Sequence, residues 1–467
     1  MISAFANSFK VPELRSRILF TLAMIVIVRI GTSITLPGVD PAVLGEWINN
    51  KAGDNASGAA QVAALLNIFS GGGMQNVAIF ALGIMPYISA SIMLQLLTAV
   101  WPPLSKLARE EGGRQKITQY TRIATIVLCV FQATLLAQSL ADPGQNYLMA
   151  GLQDAIDRLG GRPLVPNYGL GFVITSVITI TAGTMLMMWL GEQITERGLG
   201  NGASLIIFFS IVERMWPSIF QSFNFVSTGA VSPLTLVVLA LVMVGVVAGV
   251  VAITVAARRV LIQIPQRTMA RGRQREAARN FIPLRINTAG VMPIIFANSV
   301  IVIPGALAQF SGNAKLQEIA EYFNPQGPNP WLYFVLSAVL ILLFTYFYTS
   351  IIFNPVDLAE NLKKQGGFVP GIKPGAKTAE YIEQVVERIT LPGAIFLTFI
   401  ALMPIVIARI VNVPFAFGGT SLLIMVGVIL DTLQQVESHL LSRHYDGLMK
   451  AGRIRGRAQS PVSGIGG

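Results

Sequence analysis

The chain has 467 residues, of which 53% are hydrophobic and only 12% carry a charge. Its mean hydropathy of +0.62 excludes an ordinary water-soluble protein of this length and indicates a membrane protein. The single cysteine, Cys129, excludes an intramolecular disulfide framework. The net charge of +11 is informative through its placement, because positive residues set the topology of a membrane protein.

Ten apolar segments follow one another along the chain, most of them near the about 20 residues needed to cross a bilayer. A cleaved signal peptide is the alternative for the first segment. It would have a shorter apolar region and a small-residue cleavage site, whereas Pro37-Gly38 ends a nearly full span here. The predicted spans cover residues 18–36, 77–100, 117–140, 169–190, 203–220, 234–257, 287–310, 330–353, 391–411 and 420–441.

Positive charge separates between alternate loops when the N-terminus is placed in the cytoplasm. In that arrangement 26 of the 34 Lys and Arg residues fall in cytoplasmic segments and six in outside segments or at the outside ends of spans, with Arg29 and Arg122 as the remaining two. The positive-inside rule predicts such a split for ten spans, and one span more or fewer would scramble it. Both termini are therefore expected in the cytoplasm, and residues 442–467 form a basic tail there.

Residues 65–95 read as one hydrophobic segment that is interrupted by Ser70 and three consecutive glycines. Glycine in a helix interior costs about 1 kcal/mol relative to alanine, so we expect the helix to break at this point. Broken helices are tolerated in a membrane where they face protein or a water-filled cavity. This segment is therefore predicted to line a path through the membrane.

An eight-residue pattern occurs twice, at residues 83–90 and 290–297, with a constant offset of 207. The copies lie in the second and seventh predicted spans, an odd difference of five in span order, so the two must cross the membrane in opposite directions, as in an inverted repeat. A chance match among apolar residues is the alternative. The predicted fold is an all-α polytopic membrane protein with ten transmembrane helices in two inverted five-helix halves, residues 1–220 and 221–441.

Several kinds of chemistry are missing from the sequence. There is no phosphate-binding loop of the G-x-x-x-x-G-K-[ST] type, and paired intramembrane carboxylates are also absent. His439 and His444 read as interfacial helix residues rather than metal ligands. Asp431, the one acid deep in a span, is either functional or paired with Gln434 or a neighbouring helix end. We therefore predict no enzymatic activity, no metal and no cofactor.

Two basic loops are prominent, at residues 258–285 and 354–388. Alternating Val260, Ile262 and Ile264 before Gly272 predict a protruding hairpin in the first loop. Topology and anionic lipid explain a few charges, but eight arginines on one loop favour an acidic protein or RNA partner. The charges are Arg258, Arg259, Arg267, Arg271, Arg273, Arg275, Arg279 and Arg285 in the first loop, and Lys363, Lys364, Lys373 and Lys377 in the second.

Five long stretches of the chain resemble the SecY family of protein-translocation channels, and the resemblance spans nearly the whole sequence. They are ALGIMPYISASIMLQLL (81–97), GGRQKITQYTRI (112–123), GTMLMMWLGEQITERGLGNGASLIIF (183–208), ENLKKQGGFVPGIKPG (360–375) and PFAFGGTSLLIMV (414–426). The resemblance implies an hourglass pore between the two halves. It also implies a channel that translocates unfolded secretory polypeptides and releases signal and transmembrane segments sideways into the cytoplasmic membrane.

The resemblance further implies three sets of site residues. The first is an aliphatic ring that narrows the pore at Ile84, Ile88, Ile207, Ile295 and Ile424. Each of these isoleucines taken alone would be interpreted as a plain packing residue. A plug at about 65–76 includes Leu65, Leu66, Asn67, Ile68, Phe69, Ser70, Gly71, Gly72 and Gly73, with the glycines as its hinge. A lateral gate between spans 2–3 and 7–8 includes Ser89, Ser91, Gln95, Gln132 and Asn298.

The partners implied by the resemblance are the ATPase SecA and the ribosome at the basic loops, small SecE-type and SecG-type membrane subunits, signal sequences and anionic lipids. Two residues depart from the family pattern. Lys373 stands where arginine is common and loses its bidentate fork, and Ala203 replaces a larger aliphatic residue beside the ring. The rival classes are a secondary transporter for small solutes, which usually needs a polar midplane site, and a membrane enzyme or insertase. For the latter, Arg29 and Asp431 alone are poor candidates.

Overall fold

The computed structural model describes residues 11–44, 70–110, 112–140, 156–159, 161–227, 232–263, 279–298, 300–301, 322, 330–411 and 419–451. Within these ranges the regular structure is helical except for one two-stranded sheet. The helices are α1 Pro12–Ser33, α2 Met85–Val100, α3 Pro102–Arg109, α4 Gly113–Ser139, α5 Leu170–Arg197, α6 Gly202–Ser227, α7 Pro233–Val255, α8 Trp331–Ile352, α9 Pro355–Lys364, α10 Ala376–Val411 and α11 Gly419–Ala451.

Six helical segments of the described chain are long and apolar enough to cross a membrane. A seventh is obtained if residues 85–98 and 102–108, which meet at a bend of 103°, form one span. The bend follows Trp101, where Pro102 and Pro103 begin the next helix. The chain is therefore a multi-pass, all-α membrane protein, while the count of ten spans stays a prediction. The six segments are residues 115–139, 170–197, 233–255, 331–364, 376–407 and 421–438.

The sheet is an antiparallel pair of strands, β1 Ala257–Gln263 and β2 Arg279–Arg285. Val260 lies opposite Ile282, and both Val260 and Ile262 are buried, as the alternation in the sequence predicted. The pairing confirms a hairpin between α7 and the next helical segment. Ile264 and Gly272 lie outside the described residues.

Five buried clusters hold the described residues together, and the smallest joins Leu14 and Ile18 to Leu199 and Val436. Cluster A contains only residues between Leu36 and Ile180, and cluster C only residues between Val246 and Leu430. Cluster B, from Val28 to Val428, takes residues from both parts of the chain. Cluster D joins the hairpin to Leu362, Val369 and the first turns of α10. The division into halves at residue 220 remains a prediction.

The largest differences from the predicted spans are at three helix boundaries. The second span was expected from Val77, but residues 77–84 form turns and α2 begins at Met85. These apolar residues instead pair with the end of α1, where Leu36 N donates to Val77 O and Ile79 N to Ile34 O, both at 2.9 Å. The last two spans are longer than expected, because α10 begins at Ala376 and α11 continues to Ala451.

Candidate functional site

The five predicted ring isoleucines converge in cluster B. They come from the start of α2, from α6, from the helical segment 292–298 and from α11, yet each is at most 7% exposed. Ala203 packs against the same cluster. A constriction lined only by aliphatic side chains offers no hydrogen bonds and, when empty, favours dewetting. The arrangement can therefore form a hydrophobic seal.

The two copies of the repeated pattern have the same local structure. Gly83 and Gly290 both adopt a positive φ, +58° and +65°, which glycine tolerates without steric cost. A helix begins two residues later in each copy, at Met85 and at residue 292. Pro86 and Pro293 then occupy the first helical turn, where the missing N–H has no intrahelical partner to lose. The repeat thus presents Ile88 and Ile295 at equivalent positions of two helix starts.

The glycine turn, residues 70–73, is tied to α1 and α6. Arg29 Nη1 donates to Gly71 O at 3.1 Å, and the same guanidinium pairs through both terminal nitrogens with the Glu213 carboxylate. Asn76 Nδ2 donates to Thr32 O at 3.2 Å. The turn is therefore held by Arg29 of α1, which is itself paired with α6, and the chain that follows it is held by the backbone pairing at residues 34–36.

Close packing explains why two of these positions are glycines. A Cβ on Gly71 would lie 2.8 Å from Ser210 Oγ of α6, and one on Gly73 would lie 2.7 Å from Phe80 O. Gly71 and Gly72 also have positive φ values of +60° and +82°. Ser70 is buried, and its Oγ accepts a hydrogen bond from Met74 N at 3.1 Å. The remaining predicted plug residues, 65–69, lie outside the described residues.

Among the predicted gate residues, Gln95 of α2 makes a contact across the seam. Tyr348 of α8 donates its hydroxyl to Gln95 Oε1 at 2.7 Å, and its ring lies 5.7 Å from that of Phe296. Gln95 Nε2 in turn donates to Ser91 Oγ at 3.2 Å. Ser89, Gln132 and Asn298 are partly buried, and no hydrogen bond joins Gln132 to Asn298 in the described part of the chain.

The two basic loops form one folded unit. Gln263 of β1 and Phe368 exchange backbone hydrogen bonds of 2.9 and 3.0 Å, and cluster D lies beneath them. The predicted docking residues Arg258, Arg259, Lys363, Lys364 and Lys373 are exposed on this unit. The pairing places Arg279 at the start of β2, while Arg267, Arg271, Arg273 and Arg275 lie outside the described residues.

Sequence reasoning missed the contacts made by the intramembrane charges. Arg29 was judged a poor functional candidate, although a lone arginine in an apolar span is itself a signal. Arg122 of α4 pairs with Glu192 of α5 through hydrogen bonds of 3.0 and 2.7 Å. Gln434 accepts from Arg285 Nη2 at 2.5 Å, and no hydrogen bond joins it to Asp431 among the described residues. Asp431 instead lines an open cavity of about 370 Å³ near Arg285.

The SecY family model matches residues 78–433. The chain belongs to the SecY family. It is 44% identical over 440 residues to the protein translocase subunit SecY of Aquifex aeolicus (strain VF5), covering 94% of this chain and 97% of that protein. It is 42% identical over 449 residues to the subunit of the same name in Escherichia coli (strain K12), covering 95% and 96%.

Solved structures share the fold at 14% sequence identity. One is a SecY protein whose plug domain is described as stabilising the closed translocation channel, with a TM-score of 0.63 and coverage of 93% of this chain and 94% of that chain. Another is Sec61 in the canine ribosome-channel complex, with a TM-score of 0.56 and the same coverage. Together with the SecY relatives, they assign this chain the role of a protein translocation channel. The alternative of a solute transporter is not favoured.

Proposed function

We propose that an unfolded secretory polypeptide crosses a bacterial cytoplasmic membrane through the centre of the five-isoleucine ring. The observation that carries the proposal is the convergence of Ile84, Ile88, Ile207, Ile295 and Ile424 in cluster B from four separate segments. Aliphatic side chains can close around a moving chain without competing for its backbone hydrogen bonds, and they resist ions when no chain is present. Signal and transmembrane segments leave the channel sideways through a seam into the membrane. One side of the seam is formed by α2 and α4, and the other by residues 292–298 and α8.

The segment at about 65–76 acts as a plug that closes the resting channel from outside. Its breaks at Ser70 and the three glycines, and the plug domain described for a protein of the same fold, support this part of the proposal. The hydrogen bond between Tyr348 and Gln95 supports the lateral gate, because it joins the two sides of the seam.

The folded unit of the two basic loops faces the cytoplasm, with both chain termini, and receives the driving partner. SecA or the ribosome binds there through its acidic or phosphate groups, and anionic lipid neutralises the remaining charge. A ribosome complex described for a channel of the same fold supports the ribosome as one partner. SecA supplies the nucleotide chemistry for which the sequence has no phosphate-binding loop. SecE-type and SecG-type subunits complete the channel.

Replacing four ring residues tests the proposal: Ile84→Ser, Ile88→Ser, Ile295→Ser and Ile424→Ser. The purified complex with its small subunits is placed in lipid vesicles, and the ion conductance of the resting vesicles is measured. We expect a severalfold rise, because hydroxyl groups hydrate the constriction and remove the barrier to ions.

A matched variant replaces four equally buried isoleucines of clusters A and C, which are Ile180, Ile294, Ile341 and Ile400, each at most 2% exposed. This control carries the same loss of apolar burial away from the ring, so it should leak much less. Equal conductance in the two variants would contradict the ring assignment. A wild-type complex that imports no signal-bearing precursor when SecA and ATP are added would contradict the function itself.

A further inference from the structure

Arg29 links the glycine turn to α1 directly and to α6 through Glu213. It lies in α1, one turn before the helix ends at Ser33, and its guanidinium has three partners outside its own backbone. Two are the Glu213 carboxylate of α6 and the carbonyl oxygen of Gly71, and the third is Thr32 Oγ1 at 3.3 Å. The side chains of Arg29 and Glu213 are 48% and 35% exposed, so the pair lies at the edge of the packed helices.

The chemistry of these contacts favours arginine specifically. A guanidinium presents several donors in a fixed plane, so it can pair with a carboxylate and still direct a hydrogen bond to a carbonyl. A carboxylate beside a backbone carbonyl would otherwise repel it, and the cation between them removes that repulsion. An arginine in a largely apolar helix is costly unless its partners hold it, which makes the three contacts informative.

We propose that Arg29 is a positioning residue that fixes the glycine turn, residues 70–73, against α6 while the channel rests. This inference rests on the proposed function, since it gives a specific hold to the described end of the predicted plug. Glu213 orients the guanidinium of Arg29, and Gly71 O accepts a hydrogen bond from it. Movement of the turn away from Ser210 must break the bond to Arg29, whereas the ion pair between α1 and α6 can persist.

The test measures the position of the turn directly. Cys129 is buried, and replacing it with alanine leaves no other cysteine in the chain. Ser70→Cys then introduces a thiol of nearly the same size at a site that is 2% exposed. The rate at which a membrane-impermeant maleimide labels this thiol is followed in resting vesicles that contain the complete complex.

In this background we expect Arg29→Gln to raise the labelling rate about threefold to tenfold. This is the shift in the equilibrium position of the turn that follows from losing a contact whose strength lies between that of a weak exposed ion pair and that of a charged hydrogen bond. Glu213→Gln should raise it less, because Arg29 keeps its bond to Gly71 O. Arg29→Lys should recover part of the protection through its charge. The matched control is Arg122→Gln, which removes an arginine–glutamate pair between α4 and α5 and should leave the rate unchanged.

Labelling of the Arg29→Gln protein at the rate of its parent would overturn the inference, and so would an equal rise in Arg122→Gln. Retained thermal stability of each variant separates release of the turn from general unfolding. Failure of the inference is distinct from failure of the proposed function. In the first case labelling is unaltered while precursor import proceeds, and in the second the unsubstituted complex imports nothing.

Discussion

At the level of single residues, Tyr348 combines packing with a polar contact at the predicted gate. Its ring is buried beside Phe296, which also stacks on Phe344 with a centroid distance of 5.4 Å. Its hydroxyl reaches out of this apolar group to Gln95. Hydrogen bonds between membrane helices average about 0.6 kcal/mol, so this one can favour a closed seam and still yield to a signal sequence.

Tyr348→Phe removes the hydroxyl and keeps the ring. A loss of about 0.6 kcal/mol corresponds to roughly a threefold shift toward the open gate. We expect secretory precursors with weakened signal sequences to be exported about threefold better, measured as the processed fraction after a short pulse. Tyr346→Phe on the exposed face of the same helix is the control. Export that is unaffected by Tyr348→Phe, or equally improved by the control, would remove the gate role from this contact.

Such pairs could not be predicted from the sequence alone. The resemblance to the SecY family implied that Gln95 is a gate residue, but its partner lies 253 positions away in an apolar helix that contains several tyrosines. The same holds for Arg29 and Glu213, which are 184 positions apart. Sequence pattern identifies a residue that needs a partner, whereas the choice of partner depends on how the helices pack.

At the level of elements, the hairpin and the loop after α8 belong together. β1 contacts Phe368 through its backbone, and the buried side chains of cluster D connect the hairpin to α10 at Ile382, Val385 and Val386. Lys377 and Glu380 form an exposed ion pair of 2.7 Å at the start of that helix. We therefore expect a partner that binds the hairpin to act on α10 through these packed apolar contacts.

Reversing two exposed charges of β1, Arg258→Glu with Arg259→Glu, should weaken binding of SecA or the ribosome. At roughly 0.5–1 kcal/mol for each exposed charge, we expect about a tenfold loss at low salt that shrinks as salt screens the surface. Sedimentation with vesicles at several salt concentrations measures it. Arg162→Glu, exposed and predicted on the opposite side of the membrane, is the control. Binding that is insensitive to the double reversal would leave the charges of β1 with a topological role only.

Element boundaries were predictable where hydropathy alone decides them. The ends of α4, α7 and α8 lie within a few residues of the predicted spans, because each is a single apolar run. The start of α2 was misplaced because residues 77–84 are just as apolar but pair with α1. The early start of α10 was missed because its first turns are amphipathic and pack under the hairpin.

At the level of the whole molecule, cluster B is the larger of two buried clusters that draw on both parts of the chain; the smaller joins Leu14 and Ile18 to Leu199 and Val436. Clusters A and C each draw on one part of the chain, and neither includes a residue from the other part. If the molecule opens between its halves, the contacts of cluster B and the Tyr348 hydrogen bond are those that must change. The repeat in the sequence predicts a division into two halves, whereas the close packing of the five ring isoleucines is visible only in the structure.

A covalent link across the seam should stop this opening. With Cys129→Ala as background, Gln95→Cys and Tyr348→Cys place thiols at two hydrogen-bonded positions, and a short bismaleimide should join them and block precursor export. Arg122→Cys with Glu192→Cys spans α4 and α5, which both lie on one side of the seam, and its cross-link should leave export intact. Normal export through the linked gate would refute the lateral opening.

Residues 79 and 80, which follow the glycine turn, are in close contact with two helices, and these contacts limit how far they can move. The ring of Phe80 fills the space where a Cβ of Gly31 would lie, and the carbonyl oxygen of Ile79 does the same at Gly183. Residues 79 and 80 are thus wedged between α1 and α5, and a side chain at either glycine would push them out. Residues 79 and 80 are therefore fixed in place. If the chain before the glycine turn moves, we expect the backbone torsion angles of Gly71, Gly72 and Gly73 to change. A probe on Ser70 would then report large displacements, while one on Ala78 would stay still.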